Sequence, residues 1–376
     1  MWYDVPDRGD NMDFFKNKNT IPDISPEKLL GRPPVRVDTG VLRGYISGKT
    51  VLVTGGGGSI GSELCRQLAR LSPRCLVILD NYENGAYDLY HELRQDTSCS
   101  NIAVEIATIR DLPRLRCVFA TYRPELVFHA AAHKHVPLME HNPEEAVKNN
   151  VMGTQNVLQC AVEMGTQKFV LISTDKAVNP TSVMGATKRL CEMLVQEYDA
   201  NCQTICTSVR FGNVLGSNGS VVPLFERQIA SGGPVTVTDR QATRYFMTVP
   251  EAVGLVLQAG AIAQGGEVFA LDMGAPVCIY DVAVRMIEMS GLRLNRDVSI
   301  VETGLRPGEK LHEEVCSVGE DFKQTSHQRI FCAKPKTNQN SAMGQQLEEM
   351  YIAAKIGDTD KMLRALTKLV PEYRRS

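Results

Sequence analysis

Long apolar runs are missing from this chain. None approaches the ~18 residues that a bilayer-spanning helix needs, so no membrane span is expected within it. The start is not that of a secretory leader either. Met1, Trp2, Tyr3, Asp4 and Val5 open a polar, acidic stretch instead of a basic and then apolar one. Charge of one sign is not concentrated anywhere. Lysine and arginine number 41 against 43 aspartates and glutamates, and the net charge of −2 comes without the basic stripe that a nucleic-acid surface requires. The eleven cysteines form no CxxC pair. Cys202 and Cys206 lie four apart, but no histidine or cysteine partner set completes a metal site. Reduced thiols in a cytoplasmic chain, many of them small apolar fillers, and no bound metal are therefore expected. Internal repeats are absent too. At 376 residues the chain can bury a large core, as one domain plus a smaller lobe.

What is present begins with glycine. Thr50–Thr54 reads as a short, fully buried parallel strand, and Gly55-Gly56-Gly57-Gly58-Ser59-Ile60-Gly61 follows at once. Ile60, Leu64, Leu68 and Leu71 then fall at helical spacing. Strand, glycine turn and helix form a dinucleotide-binding unit, in which backbone N–H groups and a helix N-terminus meet a pyrophosphate. Two spacings fit, Gly56/Gly58/Gly61 or Gly55/Gly58/Gly61. A second strand, Cys75–Leu79, ends in Asp80, placed to accept hydrogen bonds from a ribose 2′-hydroxyl and to repel a 2′-phosphate. No arginine follows in Asn81–Asn84, which favours NAD over NADP.

Strands then alternate with helices. Ile102–Ile106 and Leu126–His129 are the third and fourth strands, the latter running into Ala130-Ala131-Ala132. A helix opens at Asn142-Pro143, a cap followed by proline at the first helical position. Lys168–Ile172 is a fifth strand, which delivers Ser173-Thr174-Asp175-Lys176 at its carboxyl end, where open α/β sheets bind ligands. A helix over about Ser182–Tyr198 and strands over Thr204–Phe211 and Glu267–Leu271 follow. The expected architecture is α/β, a Rossmann-type doubly wound parallel sheet with a smaller mixed C-terminal lobe. Residues 1–46 form a polar extension. Residues 47–213 and 245–274 form the NAD-binding domain, and 214–244 and 275–335 the substrate lobe. Residues 336–376 form a helical tail, with Asp358 or Thr359 as a cap.

The chain resembles an extended short-chain dehydrogenase/reductase. More narrowly, it resembles a UDP-N-acetylglucosamine 4,6-dehydratase of the polysaccharide-biosynthesis type. The resemblance is carried by Thr54–Glu63 (TGGGGSIGSE), Ala130–Glu140 (AAAHKHVPLME), Ser173–Arg189 (STDKAVNPTSVMGATKR), Arg210–Val221 (RFGNVLGSNGSV), Thr243–Glu251 (TRYFMTVPE) and Arg306–Leu311 (RPGEKL). It covers roughly residues 27–335. Many longer relatives place membrane helices before this module, and Ile24–Asp38 resembles the linker that follows them.

The resemblance implies a lyase that uses NAD catalytically on a UDP-sugar. Carbon 4 is oxidised, water leaves across carbons 5 and 6, and the hydride returns to carbon 6. Oxidation at carbon 4 makes the 5-proton acidic, because the carbanion is then an enolate. In the family pattern, Asp175 is the acid for the departing 6-hydroxyl and Lys176 the base for the 5-proton. The acid must hold a proton when it donates and the base must be neutral when it accepts. Two adjacent opposite charges favour each other's charged form, so the pair is treated as coupled. The tyrosine of the wider family's Tyr-x-x-x-Lys pair is here Met184, which cannot exchange a proton. Met184 and Lys188 still share one helix face, and Lys188 is expected to bond the nicotinamide ribose. This Met-for-Tyr change is common in a configuration-retaining subgroup, although inversion at carbon 5 remains open. Thr174 is a candidate relay for the 4-hydroxyl proton. Cofactor contacts are implied for Gly55, Gly58, Ser59, Ile60, Gly61, Asp80, Ala130, Ala131, Asn150, Ser173 and Lys188. Sugar-nucleotide contacts are implied for Lys134, Asn213, Arg244, Arg306 and Glu309, the arginines as forks for phosphate oxygens. Relatives often carry Gly-Asp after the third strand to reach the adenine amine, where this chain has Ala107-Thr108. Family analogy also implies a homo-oligomer. A sugar-nucleotide 4-epimerase and a non-catalytic NAD-binding regulator are the alternatives. The Asp175-Lys176 pair speaks against the first, and Met184 alone suggests the second.

Overall fold

Five consecutive buried residues, Thr50–Thr54, make strand β1, about which the sheet is assembled. The computed structural model describes residues 37–95, 101–316, 320–333 and 343–375, with Leu29, Arg32, Val35 and Cys99. In chain order the next strands are β2 (Cys75–Asp80), β3 (Ile102–Ile106), β4 (Leu126–His129), β5 (Lys168–Ile172) and β6 (Ile205–Arg210). Then come β7 (Asn213–Leu215), β8 (Val235–Val237), β9 (Thr243–Arg244), β10 (Phe246–Thr248), β11 (Val268–Leu271) and β12 (Val277–Cys278). β13 (Ile300–Glu302), β14 (Lys323–Gln324) and β15 (Ile330–Ala333) complete the set.

The main sheet has the order β14-β15-β11-β6-β5-β4-β1-β2-β3. From β3 through β11 every pairing is parallel, as expected of strands that read as continuous apolar runs. The chain walks outward from β1 to β3 and then returns to the other side of β1. That reversal, between β1 and β4, is the topological switch point where such sheets bind ligands. The register pairs Thr54 with His129 and His129 with Leu171, so Gly55, Ala130 and Ile172 come next along the three strands, with Ser173 one residue beyond. His129 itself is a core residue. Its ring lies 2.6 Å from the Thr54 hydroxyl and 2.9 Å from that of Thr154. Burial, helped by Lys188, pushes its pKa down to about 3, which keeps the ring neutral.

Two apolar layers sandwich the sheet. One contains Leu64, Leu68, Val253 and Val256 from the helices Ser59–Ala69 and Val249–Ile262. The other contains Phe119, Val157, Leu190 and Leu194, and also takes Met350 and Leu366 of the C-terminal helices Met343–Ile356 and Thr359–Leu369, and Tyr373 beyond them. Asp358 caps the last helix by accepting from the Lys361 amide. A third core contains Phe225, Val235, Met286 and Ile287, from residues assigned by sequence to the smaller lobe, together with Phe246 from those assigned to the NAD-binding domain.

Residues 323–333, grouped by sequence with that lobe, instead add antiparallel β15 and β14 to the main sheet beyond β11. Asn142 does not cap with its side chain. A six-residue helix, Val136–His141, precedes it, and the amide donates back to the Leu138 carbonyl. Of the extension assigned by sequence to 1–46, residues 39–46 form a helix that buries Leu42, Tyr45 and Ile46, while residues 1–28, and residues 334–342 before the C-terminal helices, lie outside the described residues.

Candidate active site

The glycine turn is shaped by contacts that leave no space for side chains. Gly55 sits at φ +71°, and a Cβ there would lie 2.6 Å from the Ala131 nitrogen. A Cβ on Gly61 would overlap the Gly55 carbonyl oxygen, because the helix Ser59–Ala69 starts hard against the strand. A Cβ on Gly56 would meet Ile78 at 2.5 Å, whereas Gly58 has its nearest such contact at 3.3 Å. No side chain caps the helix at Gly58. Asp80 holds the turn: its carboxylate accepts from the Gly57 amide (2.7 Å) and the Tyr82 amide (2.8 Å). Gly55, Gly58, Asp80, Ala130 and Ala131 line a cavity of about 210 Å3, together with Ala107 and Thr108. The Thr108 hydroxyl accepts from the Arg110 amide, so the threonine shapes its own loop. Gly61→Ala is expected to abolish dinucleotide binding and to cost roughly 1–3 kcal/mol through overpacking. A binding titration and an unfolding curve check this, and unchanged affinity would remove the turn from the site.

Beside it lies a cavity of about 260 Å3, lined by Ile60, Lys134, Ser173, Thr174, Lys176, Met184, Lys188 and Asn213. The two share Ala130, Ala132 and His133 in their walls. A further hollow of about 370 Å3, over Ser59 and Gly61, again reaches Lys134. The helix Val183–Asn201 is capped by Ser182, which accepts from the Gly185 amide, and it turns Met184 and Lys188 inward. Lys188 is buried, and its Nζ donates to the Ile172 carbonyl at 2.6 Å. Burial lowers its pKa. Burial also lowers that of Lys134, whose Nζ lies 3.5 Å from the Ser217 hydroxyl.

Asp175 is completely buried and does not line the cavity. Its Oδ1 accepts from the Thr174 hydroxyl (2.9 Å) and from Lys176 Nζ (3.0 Å), and both of those residues do face the cavity. Its Oδ2 has no hydrogen-bond partner. It lies under Gly212, where a Cβ would come within 2.8 Å of it. Lys176 Nζ also donates to Asn213 Oδ1 (3.2 Å) and pairs with Glu313 (3.3 Å). Burial alone would lower the Lys176 pKa, but the Asp175 and Glu313 carboxylates outweigh it and the net shift is upward. The resting lysine is therefore charged, the opposite of what a base that accepts directly requires.

Three expected contacts lie elsewhere. Arg244 is buried, with its fork already filled: NH1 donates to the Thr243 and Leu311 carbonyls, and NH2 to Glu309 (2.9 Å). Arg306 is exposed, 4.0 Å from Glu309. Neither arginine, nor Glu309, lines the three cavities described. Asn150 is a bracket. Its amide ties the His133 backbone to the Thr187 hydroxyl from within a π-helical segment, Val147–Met152. Sequence reasoning missed Glu313, whose partners are distant in the chain. It also missed Ser217, Gly219 and Ser220 of the cavity wall. Gly219, at φ +69°, packs on the His135 ring, and the Asn218 amide donates to Ser59, which ties this loop to the glycine turn.

Residues 51–335 match the family model described as "Polysaccharide biosynthesis protein". The chain belongs to this family. A capsular polysaccharide biosynthesis protein, CapD of Staphylococcus aureus, is 51% identical over 84% of the chain and 53% of its own length. The chain thus spans about half the length of that relative. A UDP-N-acetylglucosamine 4,6-dehydratase (inverting) of Campylobacter jejuni is 33% identical over 77% of the chain and 84% of its own. The X-ray structure of Pen from Bacillus thuringiensis superposes with a TM-score of 0.73 at 36% identity, covering 78% of this chain and 90% of that one. The family resemblance and the Rossmann-type architecture expected from sequence are both borne out. Among the described residues no helix is long and apolar enough to cross a membrane.

Proposed function

We propose that this chain is a sugar-nucleotide dehydratase that converts UDP-N-acetylglucosamine to a 4-keto-6-deoxy product with NAD as a recycled cofactor, for glycan synthesis. The observation that carries the reading is the Thr174-Asp175-Lys176 set at the end of β5. Two of its members face a cavity that shares walls with the dinucleotide cradle. The dehydratase of 33% identity supports the substrate class. The residues present fit a dinucleotide. Gly55 and Gly61 leave room only for backbone at the turn, and Asp80 stands at the end of β2. Bound there, NAD supplies reversible oxidation at the sugar's carbon 4.

The chain supplies the rest. Lys188 is anchored on the end of β5 and keeps Met184 beside it on the same helix face. Asn213 and Asp175 hold the Lys176 ammonium. One proton moved from Lys176 Nζ to Asp175 Oδ1, along the 3.0 Å bond, makes the lysine neutral and the aspartate acidic together. Lys176 then removes the carbon-5 proton. Asp175 returns the proton it received to the departing 6-hydroxyl by way of Thr174, whose hydroxyl donates to Asp175 at rest and turns to accept from it as it passes its own proton on. This description belongs to the coupled pair and not to either residue alone.

Mass spectrometry of UDP-N-acetylglucosamine incubated with the protein and NAD tests the reading. A product lighter by one water without net NADH is expected. An isomer of unchanged mass would point to a 4-epimerase. No change in spite of bound NAD, across a panel of sugar nucleotides, would favour a regulator. NAD is also expected to bind at least about tenfold more tightly than NADP, because Asp80 repels a 2′-phosphate. Calorimetric titration with both nucleotides decides it, and equal affinities would sink that role for Asp80.

A further inference from the structure

Lys176 is held between two carboxylates and not one. Asp175 contacts it from its own turn. Glu313 reaches it from the far side of the site, from beyond β13, with Oε1 at 3.3 Å. Glu313 is buried, its side chain only 3% exposed. Its other oxygen, Oε2, has no hydrogen-bond partner, and neither has Asp175 Oδ2. A buried carboxylate oxygen without a partner is costly, and such groups persist where they have a task. The remaining charge near Lys176 is Arg244, whose Nε lies 3.9 Å from Glu313 and whose NH2 is bound by Glu309. Thr174 and Asn213 complete the polar surroundings of the pair without adding charge.

We infer that Glu313 is a positioning residue that fixes where the proton shared by Asp175 and Lys176 resides, and therefore the pH range over which the pair can work. The inference rests on the dehydratase reading for its catalytic consequence but not for its electrostatics. The Glu313 carboxylate, 3.3 Å from the ammonium, is almost as close to it as Asp175 Oδ1 at 3.0 Å, the oxygen that must receive the proton. It stabilises the charged lysine and so opposes transfer to Asp175. The upward net shift of Lys176 agrees with this. Removing the charge without removing the side chain releases that hold. The pair then gives up its proton at lower pH, and the whole bell of the water-loss step moves towards acid.

The test is Glu313→Gln on the NAD-loaded protein, with Glu313→Asp as the charge-keeping control. Competitive acetylation of Lys176, followed by peptide mass spectrometry across pH, reads its titration without turnover. The expected result is a downward move of roughly 1–3 pH units in Glu313→Gln, the range for a charge at this distance, with most of it restored in Glu313→Asp. The pH profile of water loss, and of deuterium uptake at carbon 5, should move the same way. NAD affinity serves as a folding check on both variants. An unshifted Lys176 titration in a folded Glu313→Gln protein overturns the inference, even if the wild type dehydrates its sugar. A shifted titration in a protein that removes no water keeps the inference and overturns the dehydratase reading.

Discussion

Lys176→Met is expected to slow water loss by roughly 10²–10⁴-fold, the usual range for removing a general acid–base group. Dinucleotide binding should stay near wild type. Methionine preserves much of the side chain's length but can neither hold nor pass a proton. The cavity's other two lysines are otherwise engaged. Lys188 is committed to the Ile172 carbonyl, and Lys134 Nζ lies 3.5 Å from the Ser217 hydroxyl. In the proposed reaction, oxidation at carbon 4 precedes the step that uses Lys176. The variant should therefore accumulate reduced nicotinamide, visible at its absorbance band, while releasing no dehydrated product. Asp175 would be left buried without its ion pair, so Asp175→Asn/Lys176→Met serves as a stability control. A Lys176→Met enzyme within about tenfold of wild type would exclude the lysine from the proton-transfer step.

The parts of this site that were legible in the sequence are those whose cause is local. The glycine turn follows its strand at once, and Asp80 closes the next strand, so the dinucleotide cradle could be read from residues 50–80. Asp175 and Lys176 are neighbours at a strand end, and Met184 and Lys188 are one helical turn apart. The register of a parallel sheet then brings these separate pieces together, because the carboxyl ends of β1, β4 and β5 are level. What escaped depends on long-range packing. Arginines in a family motif read as phosphate forks, but whether a fork is free depends on which carbonyls lie against it. The Arg244 fork is filled by Thr243, Leu311 and Glu309. Glu313 lay two residues past a recognised motif and had no signal of its own, since its meaning comes from a lysine far up the chain. The charged state of Lys176 could not be read either, because adjacency reveals only the first of its two carboxylates.

Arg210→Met is expected to destabilise the protein by about 3–5 kcal/mol at neutral pH, the cost of breaking a buried ion pair from one side. Arg210 ends β6 and is 1% exposed, though it is among the largest side chains in the core. Its Nε and NH2 bind both oxygens of the fully buried Glu192, at 2.8 and 2.7 Å, and its NH1 binds Glu320. Glu192 in turn accepts from Ser173 in the cavity wall (2.6 Å) and from Arg189, which also binds Glu372 beyond the last helix. Burial would raise the Glu192 pKa, but Arg210, helped by Arg189 and Ser173, drives it down to about 2. A depressed carboxyl stabilises the fold above its ordinary pKa, near 4.5, and loses that contribution as pH falls towards 2. Arg210→Met removes the main cause of the depression. Its penalty should therefore be largest at neutral pH and shrink as acid protonates Glu192. Urea unfolding at pH 7 and pH 4, read from midpoint and slope together, measures both quantities. A penalty under about 1 kcal/mol at pH 7 would mean that the pair contributes no more than a surface contact. A penalty that is the same at both pH values would mean that Arg210 does not hold the Glu192 pKa down. Either outcome would also bear on the site, because the carboxylate that fixes Ser173 in the cavity wall is the one that Arg210 keeps charged.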